Sequence, residues 1–130
     1  MSQPPLPGFD ADGLIFRLEQ LDSAALDALD FGVIGFDADG FVRCYNLHES
    51  RHASLPVDKV VGHHLFTDIA LCMNNYLVAQ RFEDAAAAGL ALDATIDYVL
   101  TWRMRPTRVR LRLLSQPDAR LRYIALQRPG

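Results

Sequence analysis

The segment 107–114 constrains this chain most, because Arg108, Arg110 and Arg112 alternate there with Val109, Leu111 and Leu113. A two-residue repeat sends successive side chains to opposite faces of an extended chain, so the segment predicts a half-buried strand and excludes a helix. A strand needs neighbours to pair its backbone groups. Residues 94–104 precede it across a break at Arg105-Pro106, and residues 120–127 follow the turn Gln116-Pro117-Asp118-Ala119. Upstream, residues 31–36 and 41–46 flank Asp37-Ala38-Asp39-Gly40, whose Asp-Gly pair supplies the turn of a β-hairpin.

The rest of the pattern is helical and mostly short. Residues 1–13 carry Pro4, Pro5 and Pro7 with no periodicity and predict a loose arm. Residues 14–19 and 23–28 predict two short helices, the second capped by Ser23, that form an N-terminal cap packed on the sheet. Residues 47–54 predict a short helix or turn cluster. Pro56 opens another short piece at 57–61, which Gly62 ends. Residues 63–72 read as short helix and loop. A longer helix, capped by Asn74 or Asn75, runs to Ala88 with Leu77, Val78, Phe82, Ala85 and Ala86 on its apolar stripe. The result is an α+β chain: a five-stranded antiparallel sheet with short helices and one longer helix on one face, plus the cap. That order is similar to a PAS fold, in which sheet and short helices enclose a pocket. Residues 1–29 are the arm and cap, and residues 30–130 the PAS sensor core, within a single domain overall.

With 130 residues, half of them apolar, the chain can bury about two thirds of its unfolded surface without disulfides or metals. It has no apolar run near 18 residues and no basic segment leading into an apolar one, so neither a membrane partner nor a signal peptide is expected, and the expected location is cytoplasmic. The net charge of −3 points to no nucleic-acid partner, and the eight arginines from Arg103 onward read as a solvated sheet face. Cys44 and Cys72 lie outside any CxxC or finger spacing, and no metal is expected.

Four groups of residues could carry chemistry. His48 and His52 are spaced to share a helix face but have no third ligand. His63 and His64 diverge, and the acidic pairs Asp10/Asp12 and Asp37/Asp39 lack the glutamate of a calcium loop. Tyr45 and Glu49, four apart, can both point inward if a helix starts near Asn46; the alternative is a surface glutamate beside a half-buried tyrosine. A carboxyl in an apolar pocket is driven toward its neutral form, so a phenol and a protonated acid together make a receptor for an anionic oxygen. Cys72, between Leu71 and Met73, is an inert small hydrophobe in one reading. Nearness to a helix start favours thiolate chemistry in the other.

From about residue 21 to residue 128 the chain resembles the xanthopsin family of PAS-type blue-light sensors. The matching stretches are Leu29-Asp30-Phe31-Gly32-Val33-Ile34, Tyr45-Asn46 with Glu49, Val60-Val61-Gly62, Phe66-Thr67-Asp68-Ile69-Ala70 with Cys72, and Met104-Arg105-Pro106-Thr107. The resemblance implies a p-coumaric acid (4-hydroxycinnamic acid) chromophore bound as a thioester to Cys72, its phenolate held by Tyr45 and protonated Glu49. The remaining pocket would be Ile34, Ala53, Leu55, Leu65, Ile69, Ala70, Met73, Leu100 and Met104. It further implies light-driven trans–cis isomerisation, proton transfer from Glu49, and a signal passed through the cap to a downstream protein by a monomer or weak dimer. The chain departs from the family at Ala53, where a threonine is usual with Ser54 beside it as a stand-in. It departs also at Leu55 in place of the pocket arginine, at Leu71 in place of a proline and at Leu65 in place of a phenylalanine. Two other readings stand beside this one: a PAS-type ligand-binding or dimerisation module without the chromophore, and a Cys-His enzyme, for which no sequence feature places a histidine beside Cys72.

Overall fold

The computed structural model describes residues 5–101 and 106–129. Five strands, β1 (Gly32–Phe36), β2 (Val42–Tyr45), β3 (Leu92–Leu100), β4 (Thr107–Ser115) and β5 (Arg122–Gln127), form one antiparallel sheet in the order β2-β1-β5-β4-β3. The hairpin between β1 and β2 turns where the Asp-Gly pair predicts. Asp37 Oδ1 accepts from the backbone N–H groups of Asp39 and Phe41, both at 3.0 Å, and Gly40 takes the left-handed φ of 92° that suits glycine.

On one face of the sheet lie α3 (Leu47–Ala53) and α4 (Ala79–Ala88), with single 3-10 turns at Val57–Lys59 and Leu71–Met73 and a π turn at Leu65–Ile69. Phe36, Phe66 and Phe82 anchor the core beneath them, their rings meeting edge to face at 5.0–5.4 Å. The longer helix begins later than its sequence pattern predicts. Asn75 Oδ1 accepts from the N–H groups of Leu77 (3.0 Å) and Val78 (3.2 Å), closing a turn whose donors would otherwise start the helix. Leu77 and Val78 therefore precede α4.

The cap helices α1 (Leu14–Gln20) and α2 (Ser23–Asp27) cover the opposite face, where Leu14, Ile15, Leu18 and Leu29 pack on Val33, Leu114, Tyr123 and Ala125. A seven-residue helix is not stable alone in water. Each buried aliphatic side chain contributes on the order of 1.5–3 kcal/mol, so α1 depends on the sheet for its existence. The N-cap of α2 is Asp22 rather than Ser23, because its Oδ1 reaches the Ala25 N–H at 2.8 Å.

Two sequence expectations are corrected on this face. The arm is fixed to the sheet from Phe9 onward, and the β4 arginines are not uniformly solvated. Arg112 is buried, donates to both Asp93 carboxylate oxygens at 2.8 Å, and gives Nη1 to the carbonyls of Phe9 (2.9 Å) and Ala11 (2.8 Å). Period-2 alternation assigned Arg112 to the right face, but it could not show that the arm would cover that face and need its carbonyls satisfied. Arg112→Ala should cost about 2–3 kcal/mol, since it leaves the carbonyls of Phe9 and Ala11 without their donor, while the half-exposed Asp93 returns to water. The exposed neighbour substitution Arg110→Ala should cost about 1 kcal/mol or less. Urea unfolding of both variants measures the difference, and equal effects would refute a latch at Arg112.

Candidate functional site

The site begins at Asn46, the residue between β2 and α3. Its Oδ1 accepts from the Val33 N–H (2.9 Å) and the Glu49 N–H (3.2 Å), and its Nδ2 donates to the carbonyls of Leu26 (2.9 Å) and Phe31 (3.0 Å). Every hydrogen-bonding capacity of the amide is used. The acceptor bonds cap α3 and fix its direction, so Glu49 in its first turn points inward beside Tyr45, which pairs with Ile34 in the sheet.

Glu49 is 3 % exposed. Its carboxyl lies against β1, where a Cβ on Gly32 would come within 2.1 Å of Oε1, so only glycine leaves that space. Arg128, two residues beyond Leu126 and on the same side of β5, grips the carboxylate with both Nη atoms at 2.7 and 3.0 Å. The side chains of this pair are 14 % and 4 % exposed, so the ion pair is largely out of water. Arg128 is the functional residue that sequence reasoning missed. The signal was present: Ile124, Leu126 and Arg128 alternate, yet a strand read as ending at Gln127 left the arginine outside.

A cavity of about 320 Å³ opens from this pair, within the usual range for small-molecule pockets. Ile34, Tyr45, Glu49, Ala53, Ile69, Ala70, Met73 and Leu100 all line it, together with His52, Ser54, Thr107, Leu126 and Arg128. Cys72 and Leu55 line a neighbouring surface groove with Thr101 and share Ile69 with the cavity as a common wall. Leu65 is fully buried in the core under the site, and Met104 lies outside the described residues. The turn carrying Cys72 is held from behind, its carbonyl accepting from Asn75 Nδ2 (3.1 Å) and from the Tyr98 hydroxyl, while Asn75 also donates to Tyr98 Oη at 2.7 Å.

The two thiols differ. Burial, and secondarily the charge of Asp27, push the Cys44 thiol up to about 11, which leaves almost no thiolate at neutral pH. His48 and His52 do share a face, with rings stacked at 4.1 Å, and His52 Nδ1 sits 2.8 Å from the His48 carbonyl. Among the described residues no group of three His, Cys, Asp or Glu side chains could hold a metal, and no helix is long and apolar enough to cross a membrane.

A five-stranded antiparallel sheet with a cavity under its short helices is the PAS class of sensor domain. No family model matches the chain. It is 30 % identical over 105 residues to the photoactive yellow protein of Rhodothalassium salexigens, covering 81 % of this chain and 83 % of that one. It is 26 % identical over 119 residues to that of Rhodobacter capsulatus, covering 92 % of each. The photoactive yellow protein domain of the sensor histidine kinase Ppr from Rhodospirillum centenum superposes with a TM-score of 0.77 at 32 % identity, over 85 % of this chain and 96 % of that domain. The Rhodobacter sphaeroides LOV protein, with a TM-score of 0.62 at 16 % identity over 83 % of this chain and 64 % of that one, shares the fold. The chain belongs to the photoactive yellow protein family, whose members are chromophore-bearing photosensors and not enzymes.

Alkylation with iodoacetamide near neutral pH, followed by peptide mass mapping, should modify Cys72 well before Cys44. Equal rates would show that the Cys44 thiol is not held in its protonated form.

Proposed function

We propose that the chain is a blue-light photoreceptor that carries p-coumaric acid as a thioester on Cys72. The observation that supports this reading is the cavity itself: Tyr45 and Glu49 line it together with Ile69, Ala70 and Met73, the residues that flank the cysteine. Its walls are otherwise mostly apolar, which suits an aromatic body with one polar end. The bound group supplies absorption of blue light and a trans–cis isomerisation.

The protein's part is to place charge. Tyr45 Oη and the Glu49 carboxyl would hold the phenolate oxygen, and the Cys72 sulfur would hold the acyl carbon. Glu49 would be placed to give a proton to that oxygen and would then be left as a buried carboxylate. The new carboxylate would be drawn onto the Arg128 fork, which holds both of its oxygens at 2.7 and 3.0 Å, so the change would be felt by α3, which carries Glu49. That change has a short path to the cap, since Asn46 joins the first turn of α3 to Leu26 and the Leu47 N–H donates to Asp27 Oδ1 at 2.8 Å. Residues 1–29 would then loosen from the 30–130 core and expose a surface to a downstream partner.

Purified protein incubated with an activated p-coumaric ester should gain a visible band and the mass of one acyl group on Cys72. Cys72→Ala should gain neither. A chain that takes up no acyl group, or a Cys72→Ala variant that turns equally yellow, would leave a PAS module that binds some other ligand.

A further inference from the structure

The family resemblance implies a protonated Glu49 in the pocket, and the structure places a guanidinium on it. We propose that Arg128 decides which of two acids in this cavity keeps a shared proton, the Glu49 carboxyl or the phenol of a hydroxyaryl ligand. This rests on the chromophore reading above and deepens it.

The geometry is specific. Both Glu49 oxygens are engaged, at 2.7 and 3.0 Å, by the two Nη atoms of one planar group. Such a fork matches a carboxylate and is spent on it, because Arg128 cannot keep two bonds to Glu49 while turning the same two donors to a phenolate. The carboxyl also lies against Gly32, where a Cβ would come within 2.1 Å of Oε1.

The proton balance is simple. Glu49 carboxylic acid with a phenolate, and Glu49 carboxylate with a phenol, contain the same atoms and the same net charge. Only the position of one proton differs. Arg128 stabilises the second arrangement, in which its fork is filled.

Other charged groups surround the pair and set its background. His52 of α3 lines the same cavity, and Asp30, His48 and Arg108 stand with Arg128 at the neighbouring rim. Burial, then His52 and Arg128, hold the His48 imidazole below its usual range, with Asp30 acting the other way, so it adds little positive charge near neutral pH.

The chain therefore differs from a receptor whose light-state carboxylate is left alone. Its carboxylate has a partner waiting just past the end of β5, so the arrangement after proton transfer is favoured. Before illumination, part of the bound ligand is neutral phenol, which absorbs at shorter wavelength than the phenolate.

The test uses Arg128→Gln, Arg128→Lys, Glu49→Gln and the double variant Glu49→Gln/Arg128→Gln in the full chain. After loading with activated p-coumarate at neutral pH in the dark, Arg128→Gln should raise the ratio of phenolate to phenol absorption by at least about tenfold. Arg128→Lys should fall between it and the unmodified chain, and in the Glu49→Gln background the Arg128 change should not raise the ratio. Without chromophore, urea unfolding should show the two single substitutions to be coupled, with the double variant at least about fivefold more stable in its unfolding constant than the product of the single effects. Additive unfolding, or an unchanged absorption ratio in loaded Arg128→Gln, overturns the assignment of Arg128. Absence of any adduct on Cys72 overturns the chromophore reading itself and this inference with it.

Discussion

The side chain of Asn46 is the interaction on which the rest of the site depends. One amide ties β1 through Val33, the start of α3 through Glu49, and the N-terminal cap through Leu26. Because the group is 1 % exposed and fully bonded, its loss would leave several buried polar atoms without partners. The consequence is positional rather than chemical. Glu49 points into the cavity only because the helix that carries it starts where Asn46 stops it from continuing β2.

Much of this architecture was legible in the residues. Alternation in β4, the Asp-Gly turn after β1, and the apolar stripe that runs through α4 are local signals, and local structure follows them. Leu77 and Val78 were misplaced for a related reason: their spacing suits a helix, but Asn75 competes for the same backbone donors and wins. Neither Arg112, within β4, nor Arg128, just past the end of β5, could be read from alternation as buried. Each looks like a solvated charge in one dimension, and each is buried by a segment distant in sequence, the arm over Arg112 and α3 over Arg128. Tyr45 and Glu49 were legible through their four-residue spacing, whereas the cation that pairs with Glu49 comes from 79 positions away.

One of the departures from the family falls where Arg128 acts. Leu55, at the place of the usual pocket arginine, lines the outer groove with Cys72, and Ala53, at the place of the usual threonine, lines the cavity itself. A positive charge lines the pocket, delivered by the residue that follows β5 instead of by the segment after α3. Buried ion pairs are poor sources of stability because desolvation offsets most of the attraction. Their better-attested use is to specify one arrangement over another, and here the two arrangements differ by the place of one proton.

That proton can be watched directly. An infrared difference spectrum of the chromophore-loaded chain, recorded while illuminating its blue band, follows carboxylic acid and carboxylate separately. Loss of a protonated carboxyl band on illumination, matched by a gain of carboxylate and absent from Glu49→Gln, is the result expected of a proton-donating Glu49. A light-induced change with no carboxyl band, or one that persists in Glu49→Gln, would contradict it.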